Sequence, residues 1–129
     1  MFNVKIVTPE APVRTFESEQ INIVTPNGEM GILSNHMPLV TMLNISIMSS
    51  ILNGHREKFA VAGGVLFFKN NEATIISDAV EQEGDIDLAR AEHARQRAEE
   101  RLRSKDPEID AKRAQIALLK ALNRIDIGK

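Results

Sequence analysis

Along the first two thirds of the chain, apolar residues recur at every second position or in short β-branched runs: "FNVKIV", "INIV", "ISIMSSI", "KFAVAGGVLFF" and "ATIIS". A period of two puts alternate side chains on one face of an extended backbone, so each run predicts a strand. Between them stand "TPEAP", "TPNGEMG", "LNGHREK" and "KNNEA". Pro cannot donate to a ladder and Gly and Asn tolerate positive φ, so these are turns, with "LNGH" and "KNNE" closing hairpins. Closely spaced strands with no helix between them predict an antiparallel β-sandwich, or flattened barrel, of about 8–10 short strands over residues 1–84.

After about Glu83 the grammar changes to "DIDLARAEHARQRAEERLRSKDPEIDAKRAQIALLKALNRI". These are strong helix formers. Asp85 can cap one helix, and "SKDPEID" reads as a stop and restart, with Asp106 as N-cap and Pro107 at the first helical position. Helices over about 86–103 and 107–125, joined by a short connection, form an antiparallel hairpin in a second unit, residues 85–129. Leu88, Ala91, Ala94, Ala98 and Leu102 on the first helix, and Ala114, Ala117, Leu118, Ala121, Leu122 and Ile125 on the second, follow 3-and-4 spacing. Ile109, Ile116 and Leu119 lie off that seam, so something besides the partner helix must cover them. The expected class is α+β, mainly β.

Composition narrows the function. The 129 residues carry a formal charge of −2, no Trp and no Tyr, which removes both the field and the stacking platforms that nucleic acid needs. No Cys is present, so disulfides and thiolate chemistry are excluded. No apolar run approaches the ~20 residues of a membrane span, and the N-terminus does not resemble a secretory leader. A chain working inside the cell is expected. Residues 1–84 hold 5 Lys+Arg against 9 Asp+Glu, and residues 85–129 hold 11 against 9; the helical unit is the basic one.

Enzyme chemistry finds little support. His36, His55 and His93 lack metal-site spacing, and Ser34 near His36 lacks an orienting acid. "PNGEMGILSNHMPLVTML" has no Lys-Ser/Thr ending, so it is no phosphate loop. Gly28, Gly31, Gly63 and Gly64 read as backbone punctuation. No catalytic residue, metal or obligatory cofactor is expected. On the hairpin, Asp87, Arg90, Ala94, Arg97 and Arg101 share one arc, and Arg113, Lys120 and Arg124 share another. Such arcs are either solvated faces supported by pairs such as Arg95–Glu99, or a converging anion site suited to a polyphosphate.

"GEMGILSNHMPLVTML", "GGVLFFKNNEATIISDAVE" and "IDLARAEHARQRAEERL" together resemble the ε subunit of bacterial F-type ATP synthase over nearly the whole chain. The Gly-Glu-x-Gly-Ile-Leu-x-x-His-x-Pro-Leu run and the Ile-Asp-x-x-Arg-Ala motif carry the likeness. The resemblance implies a non-catalytic rotor component on the cytoplasmic face of the bacterial membrane. Its sandwich would bind the γ subunit and rest on the c-ring. Its hairpin would either fold down or extend along γ into the α/β subunits and inhibit hydrolysis. ATP, as a regulatory ligand, would hold the folded hairpin through Ile86, Asp87, Arg90 and Ala91 of the motif, with Arg97, Lys120, Arg124 and Glu81 nearby. Glu29 and His36 would lie at the sandwich end that docks on the c-ring. The competing expectations are a generic β-sandwich interaction module with a coiled-coil-like tail and, more remotely, a small hydrolase using His36.

Overall fold

The computed structural model describes residues 1–85, 88–103 and 111–128. The described residues form eight strands: β1 (Phe2–Thr8), β2 (Ala11–Ser18), β3 (Gln20–Thr25), β4 (Gly28–Leu33), β5 (Leu39–Leu52), β6 (His55–Lys69), β7 (Glu72–Ile76) and β8 (Val80–Gln82). A single 3-10 turn at Glu83–Asp85 precedes two helices, α1 (Leu88–Arg103) and α2 (Ala111–Gly128). The chain divides into two compact units, Met1–Glu83 and Gly84–Lys129, one residue from the boundary that composition suggests.

The strands run in the order β2-β1-β7-β6-β5-β3-β4, with β8 also on β6. Neighbours are antiparallel except β1 and β7, which are parallel. β5 and β6 are 14 and 15 residues long, not the short strands that the pattern suggests. The register explains their length. The end of β6 pairs with β7, its beginning pairs with β8, and only the far part of β5 pairs with β3. One long hairpin therefore supplies strands to both layers and bends between them. The bend uses Gly63 and Gly64, whose φ values of 80° and 125° disfavour any side chain. "LNGH" and "KNNE" close two-residue hairpins as expected, with Asn53, Gly54, Asn70 and Asn71 all at positive φ.

Between the layers Phe2, Val4, Ile6, Ile21, Ile23, Ile32, Leu43, Met48, Phe59, Val61, Leu66, Phe68, Ala73 and Ile75 form a buried core. Every member precedes β8, so the sandwich closes its core with its own residues. Where β2 passes into β3, the buried Ser50 hydroxyl donates to Ser18 Oγ at 2.8 Å, and Ser18 donates to the Gln20 carbonyl at 2.9 Å. The crossing between layers thus leaves these buried hydroxyls satisfied. β2 and β4 have no counterpart among the apolar runs. Both are edge strands, so half of their backbone pairing and much of their side-chain surface faces outward.

In the second unit α1 and α2 pack together. Ala91 and Ala98 on α1, and Ala114 and Ala121 on α2, are at most 2% exposed. Each pair is two helical turns apart, which keeps a narrow small-residue line along each helix. Leu88 and Leu122, expected on the seam, are exposed instead. At ~100° per residue they fall about 60° or more from the alanine lines. Asp106, Pro107 and Ile109 lie outside the described residues. α2 continues to Gly128, past the expected end near residue 125.

Candidate functional site

The seams orient the charged residues of the hairpin. With ~100° per residue, Arg90, Arg97 and Arg101 lie on one flank of the Ala91–Ala98 line, and Glu92, Arg95 and Glu99 lie on the other. On α2, Arg113, Lys120 and Arg124 flank the line through Ala114, Ala121 and Ile125. Both cationic flanks are offset from their seams in the same rotational sense. In an antiparallel pair, equal offsets emerge on one face, so Arg90, Arg97, Lys120 and Arg124 share a face of the hairpin. Arg90, Arg97, Arg101 and Arg113 are exposed there, while Lys120 and Arg124 are half-buried.

The opposite flank is internally compensated. Arg95 Nη2 lies 2.9 Å from Glu92 Oε2, and Nη1 lies 3.3 Å from Glu99 Oε1. The Arg95–Glu99 pair expected from spacing forms, with Glu92 added. The hydrogen bond that Arg95 Nε donates to Glu92 Oε2, followed by the charges of Glu92 and Glu99, raises the Arg95 pKa. The acids of this flank are thereby engaged away from Arg90, Arg97 and Arg101.

The other four expected ligand residues are Ile86, Asp87, Ala91 and Glu81. Ile86 and Asp87 lie outside the described residues. Ala91 is 0% exposed, so in this structure it offers a ligand no surface; its small side chain fits a buried helical line. Glu81 is half-buried on β8 in the sandwich unit.

Glu29 and His36 are not brought together. Glu29 is the second residue of β4, beside the turn where Thr25 pairs with Gly28. His36 follows the other end of the same strand, its amide donating to the Leu33 carbonyl. The single sequence run that contains both is an extended strand, which separates its ends by several residue rises. His36 is a fixed corner: its Nδ1–H donates to the Met37 carbonyl at 2.7 Å, and its ring meets Phe68 edge-on at 5.8 Å. Neighbouring Asn35, at φ 62°, donates its amide to Asn71 Oδ1 at 2.8 Å, and Asn71 Nδ2 donates to the Met1 carbonyl at 2.9 Å. Asn44 Nδ2 donates to the Thr25 carbonyl beside the β3–β4 turn, and Leu43 stands opposite Gly64. The Ala62 and Ser77 amides donate to the Ala79 and Val7 carbonyls, which brings the β7–β8 connection with Asp78 and the β1–β2 turn with Glu10 to Glu29's end. All three acids are exposed.

One surface escapes the sequence pattern. Met42, Val65, Ile76 and Val7 are successive cross-strand partners over β5, β6, β7 and β1, with Val40 opposite Phe67 in the next row. They occupy the outer face of their layer, and Val40, Met42, Phe67 and Ile76 are 67%, 58%, 39% and 46% exposed. An apolar row across four strands exceeds scattered surface hydrophobes and is a candidate docking face. The signal in the sequence was the loss of alternation in "VLFF" and "TII", where apolar residues fall on both faces. Among the described residues no three His, Asp or Glu gather as a metal site, and no helix is long and apolar enough to cross a membrane.

Comparison with known proteins covers both units. Residues 1–83 match the family model of the ATP synthase delta/epsilon chain β-sandwich domain, and residues 85–129 match that of its long α-helix domain. The ATP synthase epsilon chain of Bacillus cytotoxicus is 40% identical over 98% of this chain and 96% of its own length. That of Desulforamulus reducens is 45% identical over 93% and 91%. Among solved structures, a chain of the Euglena gracilis mitochondrial ATP synthase OSCP/F1/c-ring assembly superposes with a TM-score of 0.76 at 20% identity, covering 93% of this chain and 76% of that one.

Proposed function

The chain belongs to the delta/epsilon family of ATP synthase subunits, and from that membership we propose that it is a non-catalytic rotor component of an F-type ATP synthase. It couples rotation to the c-ring through its sandwich and restrains ATP hydrolysis through its helical hairpin. The observation that carries this reading is the likeness to epsilon chains across both units and nearly the full length of each partner. In this role the chain sits peripherally on the cytoplasmic face of the bacterial membrane.

The two units divide the work. The apolar row through Met42, Val65, Ile76 and Val7 suits a permanent protein contact, and we assign it to the γ subunit. The end bearing Glu10, Glu29 and Asp78 meets the c-ring, while His36, at the other end of β4, keeps a structural role. Glu29→Lys reverses one charge of that acidic end without touching the core. It should weaken docking of the subunit on the c-ring by about three- to tenfold, as expected for a rim charge, with the unfolding temperature unchanged. A binding assay on the reconstituted rotor checks this; normal docking by the variant removes Glu29 from the contact.

The hairpin acts by population. When extended toward the α/β subunits it blocks rotation in the hydrolysis direction, and when folded it holds ATP on the face carrying Arg90, Arg97, Lys120 and Arg124, with Asp87 of the motif as a further ligand. ATP that binds only the folded form shifts the equilibrium by RT ln(1 + [ATP]/Kd), about 2.7 kcal/mol at a hundredfold excess over Kd. High ATP therefore relieves inhibition. The decisive experiment compares ATP hydrolysis by the complex carrying the full chain with that of the complex carrying residues 1–84, whose core is complete. The shortened chain should bind normally and leave hydrolysis uninhibited. Equal hydrolysis in both cases would reduce the chain to an interaction module with a passive tail.

A further inference from the structure

β8 is the last strand before the helical unit, and its attachment is slight. It is three residues long, and among the described strands its backbone ladder is to β6. Its final residue, Gln82, lies opposite Phe59 on β6. From the other layer, Arg14 of β2 reaches across: its guanidinium sits 5.8 Å from the centre of the Phe59 ring and its Nη2 donates to Gln82 Oε1 at 2.5 Å. Phe16, two residues along on the same face of β2, stacks on Phe59 at 5.5 Å and 9°. Arg14 is opposite the buried Ile6, so its stem follows the core margin while its charged head spans the gap between the layer edges.

We propose that Arg14 is a strap that holds β8 against the sandwich, and that release of β8 lengthens the tether of the helical unit. The released residues, Val80–Gln82, add roughly 10 Å of reach at ~3.3 Å per residue. The role of this device in inhibition rests on the rotor reading above; the strap itself does not. The neighbouring loop stays anchored, because Ala62 N–H donates to the Ala79 carbonyl at 3.0 Å and Ser77 N–H to the Val7 carbonyl at 3.1 Å. Opening can thus be confined to β8, a short edge element of the kind that unfolds locally.

Amide hydrogen exchange on the full chain tests the strap. Arg14→Ala should speed exchange at Val80–Gln82 by about three- to tenfold, the loss of one exposed hydrogen bond and one cation–π contact, while Val4 and Ile75 keep their rates. Gln82→Glu turns the bond into an ion pair and should slow the same amides by roughly twofold. Equal acceleration at Val4 and Ile75 in Arg14→Ala, or no response of β8 to either variant, overturns the strap. In the assembled complex Arg14→Ala should deepen inhibition of hydrolysis. If residues 1–84 relieve inhibition and Arg14→Ala leaves it unchanged, the tether role is overturned while the rotor reading stands. If residues 1–84 relieve nothing, the rotor reading fails, and the exchange data still decide the strap.

Discussion

Replacing Gly64 with Ala should cost the sandwich at least about 3 kcal/mol. A Cβ built there overlaps the Ile76 carbonyl oxygen and lies 3.0 Å from the Ile76 carbonyl carbon and Ser77 Cα. All three are backbone atoms. They cannot yield without disturbing the β6–β7 ladder at Val65–Ile76 and the β1–β7 ladder at Val7–Ile76. The φ of 125° is itself outside the range of an L-residue. For a domain of this size each kcal/mol shifts Tm by about 4–8 °C, so a fall of roughly 12–24 °C is expected by circular dichroism. Gly63 is a fair comparison: its φ is 80°, but the nearest atom to a Cβ is the Leu43 carbonyl oxygen at 3.5 Å, so Gly63→Ala should cost only about 1–2 kcal/mol. A Gly64→Ala protein melting within a few degrees of the parent would mean that the β6 bend relaxes far more easily than its ladders imply.

The second large effect belongs to the hairpin. Arg90→Ala should weaken ATP binding by about ten- to a hundredfold, or ~1.5–3 kcal/mol for a lost charged hydrogen bond. Arg90 is exposed on α1 and Ala is the best helix former, so the helix survives the change. The control is Arg95→Ala on the opposite flank. It breaks the contacts to Glu92 and Glu99 yet should leave ATP affinity within about twofold, since exposed pairs are worth little. Titration calorimetry on the purified chain distinguishes them. Equal weakening by both variants would indicate diffuse attraction to a basic hairpin, and an unaltered Arg90→Ala would take Arg90 out of the site.

How far the sequence could be read differed by element. Strands with one face inward, such as "FNVKIV" and "INIV", were plain from alternation. The helices were plain from composition, and their seam from 3-and-4 spacing. The edge strands β2 and β4 were hidden because an edge needs no apolar run; its partner strand supplies the pairing. The cationic flanks on the hairpin followed from helical geometry, yet Ala91 changed meaning once burial was known. The resemblance put Glu29 and His36 at one docking end of the sandwich, whereas the stretch between them is an extended strand that holds them apart.

The period of the apolar residues sets which segments are strands and which are helices, because side-chain direction along one element is a local property of φ and ψ. Turn chemistry likewise marks the corners, since Gly, Asn and Pro act through their own backbone. Which elements become neighbours is a matter of long-range pairing. The parallel contact of β1 with β7, the passage of β5 and β6 through both layers, the apolar row across four strands and the meeting of Arg14 with Gln82 all join residues distant in the chain. Local preference cannot encode such meetings. They arise when fourteen core side chains find the one arrangement that excludes water from all of them together.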